Sequence, residues 1–168
     1  MVQKDIKNDI IVREVKTEKD FDAIHDICLK AWAPVYDYRK EIMNDDIFTS
    51  IYADGERTKA LNVREWCADN PEFTRVAVMD NKVVGFITWQ RYNSETIELC
   101  NNAVDPSAHR RGIGSTLYNW FLTEMKTKGY LYTFVFTGLD VPHKPAMMAY
   151  KKMGFESPIE TVRLYKKL

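Results

Sequence analysis

Ala103–Leu117 reads AVDPSAHRRGIGSTL, and the way this stretch folds decides the architecture around it. Just upstream, ETIELC (95–100) sets isoleucine, leucine and cysteine among polar residues, which suits a strand, and Asp105-Pro106-Ser107 then breaks that strand. Downstream, Ile113, Leu117, Trp120 and Phe121 recur at helical spacing, so a helix is expected to begin near Arg111 or Gly112. A helix start leaves several backbone N–H groups without intrahelical partners. Here two glycines let a ligand approach and two arginines add charge, a combination suited to phosphate. The stretch lacks the dinucleotide fingerprint, since the position three after Gly114 is Leu117, and the nucleoside-triphosphate loop, since no Gly-Lys-Ser/Thr occurs.

Upstream of this junction, the chain reads as two hairpins. Strands are expected over Phe73–Met79 and Lys82–Tyr92, joined by a tight turn at Asp80-Asn81, with a second turn at Asn93-Ser94. Gly85 marks a bulge or a close backbone approach. Before them come a first strand at Ile10–Val15 and a helix from Lys19, with Thr17 as its candidate cap and Pro34 ending or kinking it. A second helix is expected over Thr58–Asp69. Between Tyr36 and Arg57, aromatics alternate with Asp37, Glu41, Asp45, Asp46 and Asp54: a solvated helix and loop, or a wall of carboxylates and rings facing a cationic amine. Downstream, Gly129 is a natural C-cap, and Tyr130–Phe136 (YLYTFVF) is expected as a buried strand. A helix starts at Pro142–Pro145 and runs through Met153, and Ile159–Leu168 is expected as a closing strand. No repeat or low-complexity linker interrupts residues 1–168, which read as a single domain of mixed α/β class.

Two motifs carry a family resemblance. VDPSAHRRGIGSTL resembles the coenzyme A pyrophosphate loop of the GNAT acetyltransferases, Gln/Arg-x-x-Gly-x-Gly/Ala after a strand, with Gly112 and Gly114 matching and His109 at the Gln/Arg position. Ala146–Glu156 (AMMAYKKMGFE) resembles the second signature, Asn-x-x-Ala-x-x-x-Tyr-x-x-x-Gly-Phe; Ala146, Tyr150, Gly154 and Phe155 match, and His143 stands at the asparagine position. The resemblance implies the acyl-CoA N-acyltransferase fold, a mixed, mostly antiparallel sheet flanked by helices. It also implies acetyl-CoA as co-substrate and transfer of its acetyl group to a primary amine by direct attack on the thioester.

That chemistry needs three services. A protonated amine cannot attack, the oxyanion needs a donor, and a thiolate of reference pKa ~8.5 leaves more readily when a phenol of pKa ~10 can protonate it. By resemblance Tyr150 is the general acid, and Glu98, five residues before the Ala103-Val104 pair, is the general base. Glu95, Asp105 and a water chain remain open as alternatives. Backbone N–H groups around Ala103 and Val104 are expected to serve the oxyanion and to pair with the pantetheine arm as an added strand would. Main-chain amides from Arg110 through Arg111, Gly112, Ile113 and Gly114 to Ser115 are expected to cradle the pyrophosphate. His109 sits at their head, the two arginines add charge, and Thr116 offers a hydroxyl. Lys144 is within reach of a phosphate, and Ala146 and Ala149 are small enough for the cofactor chain to pass. A non-catalytic acyl-CoA-binding module is the alternative reading.

Composition narrows the partners. Lys+Arg and Asp+Glu are equal at 24 each, so no global field draws in nucleic acid or an anionic membrane. No apolar run is long enough to span a bilayer, which places the chain in the cytoplasm as an expectation. Cys28, Cys67 and Cys100 lie far apart within apolar segments and read as reduced core thiols; no metal site is expected. The expected partner is a small-molecule or peptide amine, with a homodimer left open.

Overall fold

The computed structural model describes residues 10–168. Five strands form one sheet in the order β1 (Ile11–Glu14), β2 (Thr74–Met79), β3 (Lys82–Arg91), β4 (Thr96–Val104) and β5 (Tyr132–Val135). Neighbours run antiparallel except β4 and β5, which are parallel. Asp80 and Asn81 adopt φ of 52° and 60°, the left-handed pair that the hairpin between β2 and β3 requires. Gly85 lies against α4, which spans Ile113–Thr127: a Cβ there would meet Ala103 O at 3.0 Å and Ile113 Cγ2 at 3.1 Å.

Strand alternation divides the core between the two faces of the sheet. Val76 and Phe86 point to one face, where α1 (Glu18–Ile42) and α3 (Gly55–Asp69) close over them with Ile24, Ile27, Cys28, Ala60, Val63 and Cys67. Ala77, Ile87, Trp89, Ile97 and Leu99 point to the other, against Ile113, Leu117 and Phe121 of α4 and Tyr150 of α5 (Lys144–Lys152). Each large apolar side chain so buried contributes about 1.5–3 kcal/mol. Cys28 and Cys67 are fully buried thiols, as expected for core residues.

Of the two outcomes expected at Pro34, the helix does not end there: α1 continues to Ile42, and the proline, which has no N–H to give the Lys30 carbonyl, is carried within it. Two further expectations are corrected. The run Tyr130–Phe136 supplies a four-residue strand at the sheet edge, with Tyr132 and Phe136 exposed, because β4 is its one neighbour. No closing strand forms over Ile159–Leu168. Ser157, at φ 57°, and Pro158 turn the chain, and its side chains then meet α2 (Asp45–Tyr52): the Tyr165 ring lies 6.3 Å from Tyr52, and Lys167 pairs with Asp46.

The decisive irregularity is a bulge in β4. Ile87 faces Asn102 and Trp89 faces Leu99, so Cys100 and Asn101 together oppose Thr88. Fully buried Thr88 repairs the ladder with its side chain: Oγ1 donates to Asn101 O and accepts from Asn101 N, both at 2.9 Å. Thr88→Val keeps the shape and orphans both backbone groups. It is expected to cost about 1–3 kcal/mol of stability in urea unfolding.

Candidate functional site

Pairing between β4 and β5 reaches only Leu99 with Val135, while β4 runs on to Val104. The two strands part there, and the fork opens a cleft of about 1110 Å³. Its walls are β4 from Glu98 to Val104, the turn and first residues of α4, α5, and on the opposite face Trp32 and Lys59 from α1 and α3. Asp105 N donates to Val84 O on β3, so by alternation Ala103 N points into the sheet and Asn102 N and Val104 N point to the open edge. Edge donors of this kind can pair with an extended chain or an oxyanion. His109 Nε2 lies 3.2 Å from Val104 O on that edge.

At the far end, Gly112 is the N-cap of α4, with φ 82° and no side-chain cap. The amides of Ile113, Gly114 and Ser115 therefore begin the helix without intrahelical partners. A Cβ at Gly112 would meet nothing within 4 Å, so the mouth is open, and Arg110, also left-handed at φ 62°, turns the preceding amides. These groups fit a diphosphate: the donors are backbone N–H, the helix end is positive, and among the described residues no side chain lies within 4 Å of a Cβ at Gly112. His109, Arg110, Gly112, Ile113, Gly114, Ser115, Ala103, Val104, Ala146, Ala149, Tyr150 and Glu98 all line the cleft. Arg111 and Thr116 do not: the Arg111 guanidinium lies 3.8 Å from Asp80, and Thr116 Oγ1 donates to Gly112 O. Lys144 is exposed outside the cleft, and Lys152 lies in its wall instead. His143, at the start of α5, lines the cleft with Nδ1 against Asp140.

Tyr150 projects from α5 into the floor and is buried. Its Oη accepts from Asn102 Nδ2 at 2.9 Å, while Tyr118 Oη donates to Asn102 Oδ1 at 2.7 Å. The amide of Asn102 is thereby held between two phenols whose ring centres lie 5.5 Å apart, tilted at 59°. Tyr150 Oη also donates to Asn102 Oδ1 at 3.3 Å, a long contact to an oxygen that Tyr118 already holds at 2.7 Å, so an acceptor in the cleft can take that proton instead. Burial pushes the Tyr150 pKa up, against the hydrogen bonds from Asn102 and Tyr118, so the phenol holds its proton at neutral pH. Sequence reasoning did not find Asn102 or Tyr118. The bulge inverts the phase of β4, so that Asn102, and not Asn101, shares the face of Leu99.

On the opposite face, the half-buried Glu98 carboxylate accepts from Gln90 Nε2 at 2.6 Å. Lys59 Nζ donates to Asn101 Oδ1 at 2.6 Å and lies 5.6 Å from the centre of the Trp32 ring; burial lowers its pKa. Cys100 lines the same wall, its thiol pushed up to about 12 by burial and then by the Glu98 charge, which keeps it from acting as a thiolate at neutral pH. Glu95 and Asp105 are absent from the walls.

Asp105 has a different duty. Its carboxylate caps Ser107 N and takes Lys30 Nζ at 2.8 Å, tying α1 to the turn before α4; the Lys30 hydrogen bond and then those from Ser107 hold its pKa at about 2. A depressed carboxyl contributes stability above its unfolded value of 3.8 that is lost as pH falls through about 2. Asp105→Asn is therefore expected to lose about 1 kcal/mol at neutral pH, modest because Lys30 is exposed, with the difference from wild type vanishing toward pH 2 in acid unfolding. Among the described residues no helix is long and apolar enough to cross a membrane, and no cluster of three or more His, Cys, Asp or Glu could hold a metal.

Known proteins share this architecture. The N-acetyltransferase PaiA from Thermoplasma acidophilum, solved in complex with coenzyme A, superposes with a TM-score of 0.66 at 21% identity over 88% of this chain and 90% of that one. PH1933 from Pyrococcus horikoshii gives 0.70 at 20% identity over 92% and 93%. The ribosomal-protein-S18-alanine N-acetyltransferase from Escherichia coli gives 0.63 at 18% identity over 90% and 80%. At these identities the likeness is one of fold. No curated protein matches the chain in sequence. The Acetyltransferase (GNAT) family model matches residues 34–155, spanning the forked strand, the glycine turn and the tyrosine helix, and with that match the chain belongs to the GNAT acetyltransferase family.

Proposed function

We propose that residues 1–168 form one acetyl-CoA-dependent N-acetyltransferase domain, acting on a primary amine of a small molecule or peptide. The observation that carries this reading is the Tyr150 hydroxyl, set by Asn102 in the floor of a cleft whose far end is the uncapped start of α4. Bound there, acetyl-CoA would supply the acetyl group as an activated thioester, with coenzyme A as the leaving thiol. The amides of Gly112 to Ser115, with Arg110, hold the diphosphate; Ala146 and Ala149 leave room for the arm; Val104 N and Asn102 N on the open edge of β4 donate to it and to the carbonyl oxygen.

Glu98 takes the proton from the acceptor ammonium, so that a neutral amine faces the carbonyl carbon. The amine adds to the carbonyl carbon; as the C–S bond breaks, Tyr150 Oη gives its proton to the departing sulfur, and the proton shed by the new amide nitrogen restores the phenol. Apolar walls from Leu99, Phe86 and Ile113 keep water out of the fork.

Thiol release from acetyl-CoA across a panel of amines tests the reading, with Tyr150→Phe and Glu98→Gln as controls. Turnover that both substitutions depress is expected. Tight coenzyme A binding in calorimetry with no turnover on any amine would favour an acyl-CoA-binding module instead. Equal rates in wild type and both variants would remove the two assigned roles.

A further inference from the structure

Resting on the transferase reading, we infer that the acceptor is a small amino-carboxylate: Lys59 binds its carboxylate while its amine lies toward Glu98. The residues that suggested a cationic acceptor do not face the cleft. Asp37, Glu41, Asp45, Asp46 and Asp54 are all exposed and absent from its walls. In their place, among the described residues, the walls carry Lys30, Lys59, Arg110 and Lys152 against the single carboxylate of Glu98. Lys30 is paired with Asp105, and Arg110 belongs to the turn that opens α4.

Lys59 stands apart from both. It projects from α3, on the face of the sheet opposite Tyr150, and Asn101 and Asn102 are consecutive residues of β4: the first holds Lys59 Nζ, the second Tyr150 Oη. The lysine therefore sits beside the fork, away from the mouth of α4, and a diphosphate held at that mouth does not meet its charge.

Its environment is incomplete as it stands. Among the described residues Lys59 Nζ has one hydrogen-bond acceptor, a neutral amide, and no carboxylate partner, although an ammonium carries three donors. Trp32 walls one side, and the positive charge of Arg39 adds to the field. A half-buried ammonium without a counter-ion is costly, and an incoming carboxylate relieves that cost through a charge-assisted hydrogen bond. A polycationic acceptor would meet repulsion at the same point. Lys152 lies on α5 with Tyr150, across the sheet from Lys59. Glu98, the one wall carboxylate among the described residues, is then left to receive the acceptor amine, so Lys59 and Glu98 match the two charged groups of an amino acid.

The test uses the full chain, acetyl-CoA and matched acceptors: free amino acids and β-alanine, each against its carboxamide, with spermidine as a polycation. Wild type is expected to favour the carboxylate member of a pair by roughly tenfold or more in kcat/KM, mainly through KM. In Lys59→Met that ratio should fall to near one, and Lys59→Arg should restore part of it. A thermal shift with coenzyme A confirms that both variants are folded. Preference for carboxamides or spermidine in wild type, or a ratio unchanged in Lys59→Met, would overturn the inference and leave the transferase reading standing. Thiol release with none of the acceptors would overturn both.

Discussion

Tyr150→Phe is expected to lower kcat for thiol release by about 10²- to 10⁴-fold, the usual loss when a positioned proton donor is removed. The substitution deletes Oη and little else. The ring keeps its packing on Tyr118 at 5.5 Å and Phe155 at 5.7 Å, so coenzyme A should still bind and the loss should fall on kcat. Asn102 Nδ2 is then left without its phenol acceptor, at a cost of about 1–3 kcal/mol in stability. Calorimetry with coenzyme A and single-turnover kinetics separate the two effects. A variant that binds and turns over like wild type would show that the phenol only packs.

Glu98→Gln should cost about 10²-fold or more in kcat/KM at neutral pH, for the complementary reason. Most primary amines are protonated there, and an amide cannot receive a proton. The hydrogen bond from Gln90 Nε2 can be kept, since the new side chain still offers an oxygen, so the strand should be undisturbed. The loss should shrink as pH rises toward the acceptor pKa, because solvent then supplies the neutral amine unaided. A steeper pH–rate slope in the variant than in wild type is the signature. A uniform loss at every pH would point to a role in binding, and no loss would assign the proton to a water chain.

The site was legible in the sequence where local chemistry fixes it. Asp105-Pro106 and Gly112 mark the strand end and helix start regardless of what packs on them, and Asp80-Asn81 encodes its own turn. The phase of β4 was hidden. Counting by two from Leu99 puts Asn101 and Ala103 on its face, whereas the extra residue opposite Thr88 hands that face to Asn102 and Val104. Only the pairing partner, thirteen residues away, reveals the bulge. Lys59 was equally silent, one more polar position on an amphipathic helix until β4 comes to lie beside it. The continuation of α1 past Pro34 and the failure of the last ten residues to form a strand have the same origin: tertiary contacts with α3 and with Tyr52 outweigh what the local residues prefer.

The most direct test of the diphosphate clasp and the phenol is a crystal structure grown with acetyl-CoA. Diphosphate oxygens should lie about 2.7–3.2 Å from amide nitrogens between Gly112 and Ser115, with the sulfur on the Tyr150 side of the fork and within reach of its Oη. A cofactor lying elsewhere, or a sulfur turned from Tyr150 toward the face of Lys59, would contradict the account.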